Sequence, residues 1–183
     1  LAVRDYETAL RLLEAEPAAA EGSPAWYVHG ALRARALRLS GRFGEAVAEL
    51  GPRLARKDAG ERFPRDVLAF ELALARVGHA GDEALPVAEA DAQRRVAAAE
   101  LRKLEKLEPL RNLSAVRVLE AEALAGIEGT TPKAARAAAM SAAKALAEVI
   151  VDYPNHPRIG LLRLEHAREL VRAGKLKDAA ALL

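Results

Sequence analysis

Prolines and glycines cut this sequence into about nine stretches, and within each stretch apolar residues return every three or four positions. Such spacing puts one apolar stripe along a helix. Stretches this short, joined by turns this tight, leave helix-on-helix packing as the way to bury it. The first stretch runs from about Val3 to Glu16 and stops at Pro17. Ser23-Pro24 is an N-cap followed by a proline at the first helical position, and it opens a helix to Leu39. The spacing predicts further helices over about 43–57, 62–77, 87–107, 109–127 and 132–152, with 78–86 as a loop. An eighth reaches Ala173, and a ninth follows Gly174. Composition agrees: 71 of 183 residues are Ala or Leu, and Val, Ile and Thr together supply only 18. Strands want branched and aromatic side chains, so a sizeable sheet is excluded.

The turns repeat one another. Gly41-Arg42-Phe43-Gly44-Glu45-Ala46-Val47, with Leu50 beyond, lines up with Gly174-Lys175-Leu176-Lys177-Asp178-Ala179-Ala180, with Leu183 beyond. Each has a glycine at the turn, an apolar residue two later, an acid, an alanine, and a large apolar residue four further on. Ala34 and Leu37 precede the first glycine as Ala167 and Leu170 precede the second. A glycine allows the chain to turn left-handed at a helix end, and alanines let the two helices of a hairpin approach closely. Tyr6, Ala9 and Leu13 repeat part of this pattern. So do Ala142, Leu146 and Val149, whose helix ends at Tyr153-Pro154.

At these residues the sequence resembles the tetratricopeptide repeat family, best over residues 27–54 and 160–183 and poorly over the irregular middle, 62–107. The resemblance implies an all-α fold, a right-handed superhelix of antiparallel helix pairs, as one repeat domain spanning 1–183. Pairs begin near Pro24, Arg62, Pro109 and His156, spaced 38, 47 and 47 residues apart, against about 34 in the family. The array starts and ends within a repeat, so the expectation is a piece of a longer protein. The Tyr153-Pro154-Asn155-His156-Pro157 break ahead of Ala173-Gly174-Lys175-Leu176 is also similar to the N-terminal superhelical domain of soluble lytic transglycosylases. That narrower resemblance implies an accessory domain in the periplasm that positions a linked cell-wall enzyme. The alternative is a free-standing adaptor, cytoplasmic or periplasmic. The enzyme's own segment is absent from these residues, which contain neither Glu-Ser nor Gly-Leu-Met-Gln.

Motifs for catalysis are missing. With no cysteine there is no disulfide, thiolate ligand or thiol nucleophile. His29, His79, His156 and His166 include no pair three or four apart. His166, next to Glu165 and with Glu169 one turn on, offers a Glu/His pair at most, without a third and fourth ligand. Ser23 and Ser40 read as cap and turn residues, and Ser114 and Ser141 as small packing residues; none sits in a G-x-S-x-G turn. Gly174-Lys175 has Glu169 where a phosphate loop needs its first glycine. No catalysis and no cofactor is expected of this chain, and no uncharged apolar run of about 18 residues could cross a bilayer.

Arginine stands out, at 21 against 7 lysines, although the net charge is only +2. With Gly41 and Gly174 at the family's turn position, the resemblance puts Arg35, Arg38, Arg168 and Arg172 on the concave face, where this family binds extended peptides. Guanidinium groups there suit the carboxylates of an acidic protein or peptide partner. The alternative is that they pair with Glu45, Glu165 or Glu169 on neighbouring turns. Nucleic acid is disfavoured, because the charge is nearly balanced and no aromatics are interleaved with the arginines. Trp26-Tyr27 reads as a staple between the first hairpins, with a stacking platform as the alternative.

Overall fold

Every regular element in the computed structural model, which describes residues 2–17, 19–58, 64–107 and 113–182, is a helix. The chain is all-α. Among the described residues the helices are α1 (Ala2–Ala15), α2 (Pro24–Leu39), α3 (Phe43–Ala55), α4 (Arg65–His79), α5 (Val87–Leu104), α6 (Ser114–Ala125), α7 (Pro132–Asp152), α8 (Ile159–Arg172) and α9 (Leu176–Ala180). The expected starts near Arg62 and Pro109 and the Ala59-Gly60 stop lie outside the described residues.

Local signals set the ends. Ser23 Oγ accepts the Trp26 amide at 3.2 Å, so the N-cap expected there forms, and Thr131 Oγ1 caps the next proline-led helix by accepting the amide of Ala134 at 3.2 Å. The two aligned glycines adopt one geometry, with φ of 80° at Gly41 and 79° at Gly174. After each, the next amide reaches back to the helix: Arg42 N–H to Leu37 C=O at 2.9 Å, and Lys175 N–H to Leu170 C=O at 2.8 Å. This is the Schellman closure, and it satisfies carbonyls that a helix end otherwise leaves orphaned.

Contacts gather in two compact units, Leu1–His79 and Ala80–Leu183. In the first, α2 packs on α1 and α3, and α4 packs on both α2 and α3. Leu10, Tyr27, Leu37, Leu50 and Leu68 are fully buried, with Ala34 and Ala46 between them where helices come close. Two glycines allow the approach. A Cβ at Gly78 would lie 2.3 Å from the Phe43 ring, and one at Gly30 would lie 2.0 Å from Arg53 Nε.

The Arg53 guanidinium lies 4.1 Å over the Trp26 ring, and Trp26 meets Tyr27 edge-on at 5.0 Å. Tyr27 is buried and donates its hydroxyl to Asp58 at 2.9 Å. The pair therefore staples α2 to the segment after α3, and a cation already covers one indole face.

In the second unit each helix from α6 to α9 packs on the one before it. Val118, Ala121, Leu146, Val149 and Leu162 form its centre, and Ala143, Leu170 and Ala179 join α7, α8 and α9. One buried carboxylate secures the α6–α7 turn. Asp91, on α5 and fully buried, accepts the amides of Glu128 and Gly129 at 2.9 Å each, with Arg94 at 3.8 Å and Arg95 at 3.6 Å. Backbone donors and two cations together compensate a charge that would be costly alone. Among the described residues no helix is long and apolar enough to cross a membrane.

Candidate functional site

The four arginines expected to face a partner fall two to each unit. On α2, Arg35 and Arg38 converge on Glu71 of α4. Arg38 holds Glu71 Oε2 with Nε at 3.1 Å and Nη2 at 3.0 Å, while Arg35 Nε stands 3.8 Å from Oε1. Exposure separates their roles: the Arg38 side chain is 17% exposed and that of Arg35 63%. Arg38 is thus a packed ion pair between helices, and Arg35 keeps a guanidinium in solvent.

On α8, Arg168 and Arg172 both line a groove of ≈ 740 Å³ formed by α8, α9 and the end of α6. Arg172 is engaged. Its Nη1 donates to Ala125 C=O at 2.8 Å and to both Glu169 oxygens at 2.9 and 2.8 Å, and its Nη2 donates to Ile127 C=O at 2.7 Å. It therefore closes the carbonyl end of α6, where a cation is favoured by the helix dipole. Arg168 is exposed and makes no hydrogen bond or ion pair among the described residues.

Between these charges the groove is aliphatic. Leu164 and Val171 stand half-exposed along α8, and Leu176 on α9 is 64% exposed over Ala167 and Ala179. Glu165 and Glu169 lie on the same wall. Burial pushes the Glu165 carboxyl above its usual range, and Glu122 adds to the effect; its Oε2 is buried without a hydrogen-bond partner. Burial also raises Glu169, opposed by Arg172. Both acids favour the neutral form more than a surface glutamate does. Burial lowers the pKa of His166, favouring the neutral imidazole. Among the described residues no three metal-ligating side chains converge. Such a surface can seat aliphatic side chains and pair a carboxylate with Arg168.

Sequence spacing identified Arg168 and Arg172 as neighbours and missed what surrounds them. Leu161, Leu164 and Val171 form a second apolar stripe on α8 beside the buried one of Leu162, Ala167 and Leu170. Apolar residues on more than one face of a short helix were the available signal. Glu71 carried none, because its role depends on α4 lying against α2.

No protein-family model matches this chain, and neither does any curated protein or any solved structure. Its residues alone carry the functional reading.

Proposed function

We propose that this chain is a non-catalytic helical-repeat scaffold that holds a protein or peptide partner. The observation that carries the reading is the α8–α9 groove, where Leu164, Val171 and Leu176 stay exposed beside the unpaired Arg168. Large exposed apolar side chains grouped around a groove favour a partner surface over plain solvent. The Schellman turns at Gly41 and Gly174 support the repeat register, and with it an array of helix pairs offering a concave face. Its narrower form rests on the Tyr153–Pro157 break: an accessory domain of a periplasmic lytic transglycosylase, with a free-standing adaptor as the other form.

The test is capture by the immobilised chain from a lysate of the organism that makes it, beside Leu164→Glu and Arg168→Glu variants checked for unchanged helicity. A protein retained by the parent chain and lost from both variants supports the scaffold reading. The same retained set from all three chains overturns the groove. If the captured protein cleaves peptidoglycan, turnover with and without the chain separates the two forms. Acceleration supports the accessory domain, and an unchanged rate supports the adaptor.

A further inference from the structure

A second face of the Ala80–Leu183 unit has a different chemistry from the α8–α9 groove. Arg95, Arg102 and Lys103 on α5, with Lys106 just past its end, line a groove of ≈ 300 Å³ floored by Ala98, Ala99 and Leu124. Residues 95, 99, 102 and 106 recur at four- and three-residue steps, so helical spacing gathers them on one side of α5.

The acids that balance these cations lie underneath. Glu120 of α6 is buried and takes Arg102 at 2.9 Å from Nε and 2.6 Å from Nη2. Asp91 is fully buried and already holds two backbone amides. Glu100 pairs with Lys103 at 2.8 Å from the side. Above them the cations stand in water: the Arg102 side chain is 65% exposed and that of Lys103 68%. Lys106 is exposed and makes no ion pair among the described residues. Carboxylates below and ammonium and guanidinium heads above give the mouth of the groove a positive field, although the whole chain is nearly neutral.

We infer that this face of α5 binds an acidic peptide segment, seating an aliphatic side chain on Ala98, Ala99 and Leu124 between carboxylates that meet Arg95, Arg102, Lys103 and Lys106. The small apolar floor gives an aliphatic side chain somewhere to bury area, which phosphate alone would not use. Among the described residues no aromatic side chain lines the groove, so a nucleic-acid base finds no ring there to stack on. The site goes beyond the α8–α9 groove and stands or falls separately from it.

The experiment is fluorescence anisotropy with the whole chain and a fluorescein-labelled peptide of repeating Glu-Glu-Leu. Controls are the same peptide with Gln for Glu and a single-stranded oligonucleotide of equal charge. The acidic peptide is expected to bind about tenfold more tightly than the Gln peptide, with affinity falling as salt rises. Lys103→Glu with Lys106→Glu should weaken it about tenfold, and Lys103→Arg with Lys106→Arg should retain it. Both positions are exposed, and circular dichroism confirms that the variants fold. Leu164→Glu, in the other groove, should leave this binding unchanged. No binding of the acidic peptide overturns the inference, as does equal binding of the Gln peptide. Tighter binding of the oligonucleotide, lost in the same Lys→Glu variant, assigns the face to nucleic acid and also overturns it.

Discussion

Two hairpins of this molecule share a turn and differ in what lies over them. Gly41 and Gly174 have the same φ and the same back-reaching amide, and Arg35 and Arg168 occupy equivalent positions six residues before each. Around Gly41 the following side chain, Phe43, packs against Gly78 of α4, and Leu50 is fully buried. Around Gly174 the equivalent of Phe43 is Leu176, which stands in solvent at the rim of a groove. Position 31 on α2 is a buried alanine, and its equivalent on α8 is the half-exposed Leu164. The turn motif therefore specifies a hairpin, not a binding surface. A surface arises where large apolar residues replace small ones and none of the described helices lies over them.

The comparison is broken most forcefully in the buried seam. Leu50→Ala should cost about 2–5 kcal/mol, since it leaves a cavity in a packed core, whereas Leu176→Ala should stay within about 0.5 kcal/mol; denaturant midpoints measure both. A large loss at Leu176 would mean that its side chain is covered in solution. Next come the turns. Gly41→Val and Gly174→Val should each destabilise by about 1–3 kcal/mol, because a β-branched residue is strained at positive φ. A changed melting temperature in one and not the other would show that the two turns are not equivalent.

A smaller effect separates the two units by pH. Glu105, just past α5, is pushed up to about 7, first by burial and then by Glu120, with Arg117 and Arg102 opposing. Facing it are Glu120 and Arg117 of α6, and Arg117 also contacts Glu148 and Asp152 of α7. The folded state holds this proton more tightly than the unfolded chain does. The stabilisation is complete below the ordinary carboxylate range and is lost as pH rises through about 7. The melting temperature followed by circular dichroism should fall between pH 5 and 8, and Glu105→Gln should flatten the fall. Fluorescence of Trp26, the single tryptophan, reports the first unit and serves as the comparison. An unchanged slope in the variant would remove Glu105 as the cause. The mildest changes are Arg35→Ala and Arg168→Ala: both should leave the melting temperature unchanged, and only the second should weaken partner capture at the α8–α9 groove.

Much of the helical framework was legible because its signals are local. Ser23 and Thr131 as caps, Gly41 and Gly174 as left-handed turns, and Pro132 and Asp152 as the ends of α7 each follow from a few adjacent residues. The site was legible in part. Arg168 and Arg172 were found by register, yet register gave no reason for one to be free and the other bound to the end of α6. Nor could spacing identify Asp91, Glu71 or the Glu105–Glu120 pair. Their surroundings come from residues 15 to 38 positions away in the chain, and any charged helix shows acids at such intervals.

Arg172 also has a consequence for motion. Its guanidinium joins the last turn of α8 to two carbonyls at the end of α6. Fraying of either helix end releases the other, so the two ends open as one unit. Hydrogen exchange at the Gly126 and Ile127 amides, which close the end of α6, should accelerate together with that of Ala173 when Arg172 is replaced by methionine. The wall of the groove and the end of the helix behind it then share a single breathing mode, set by one side chain.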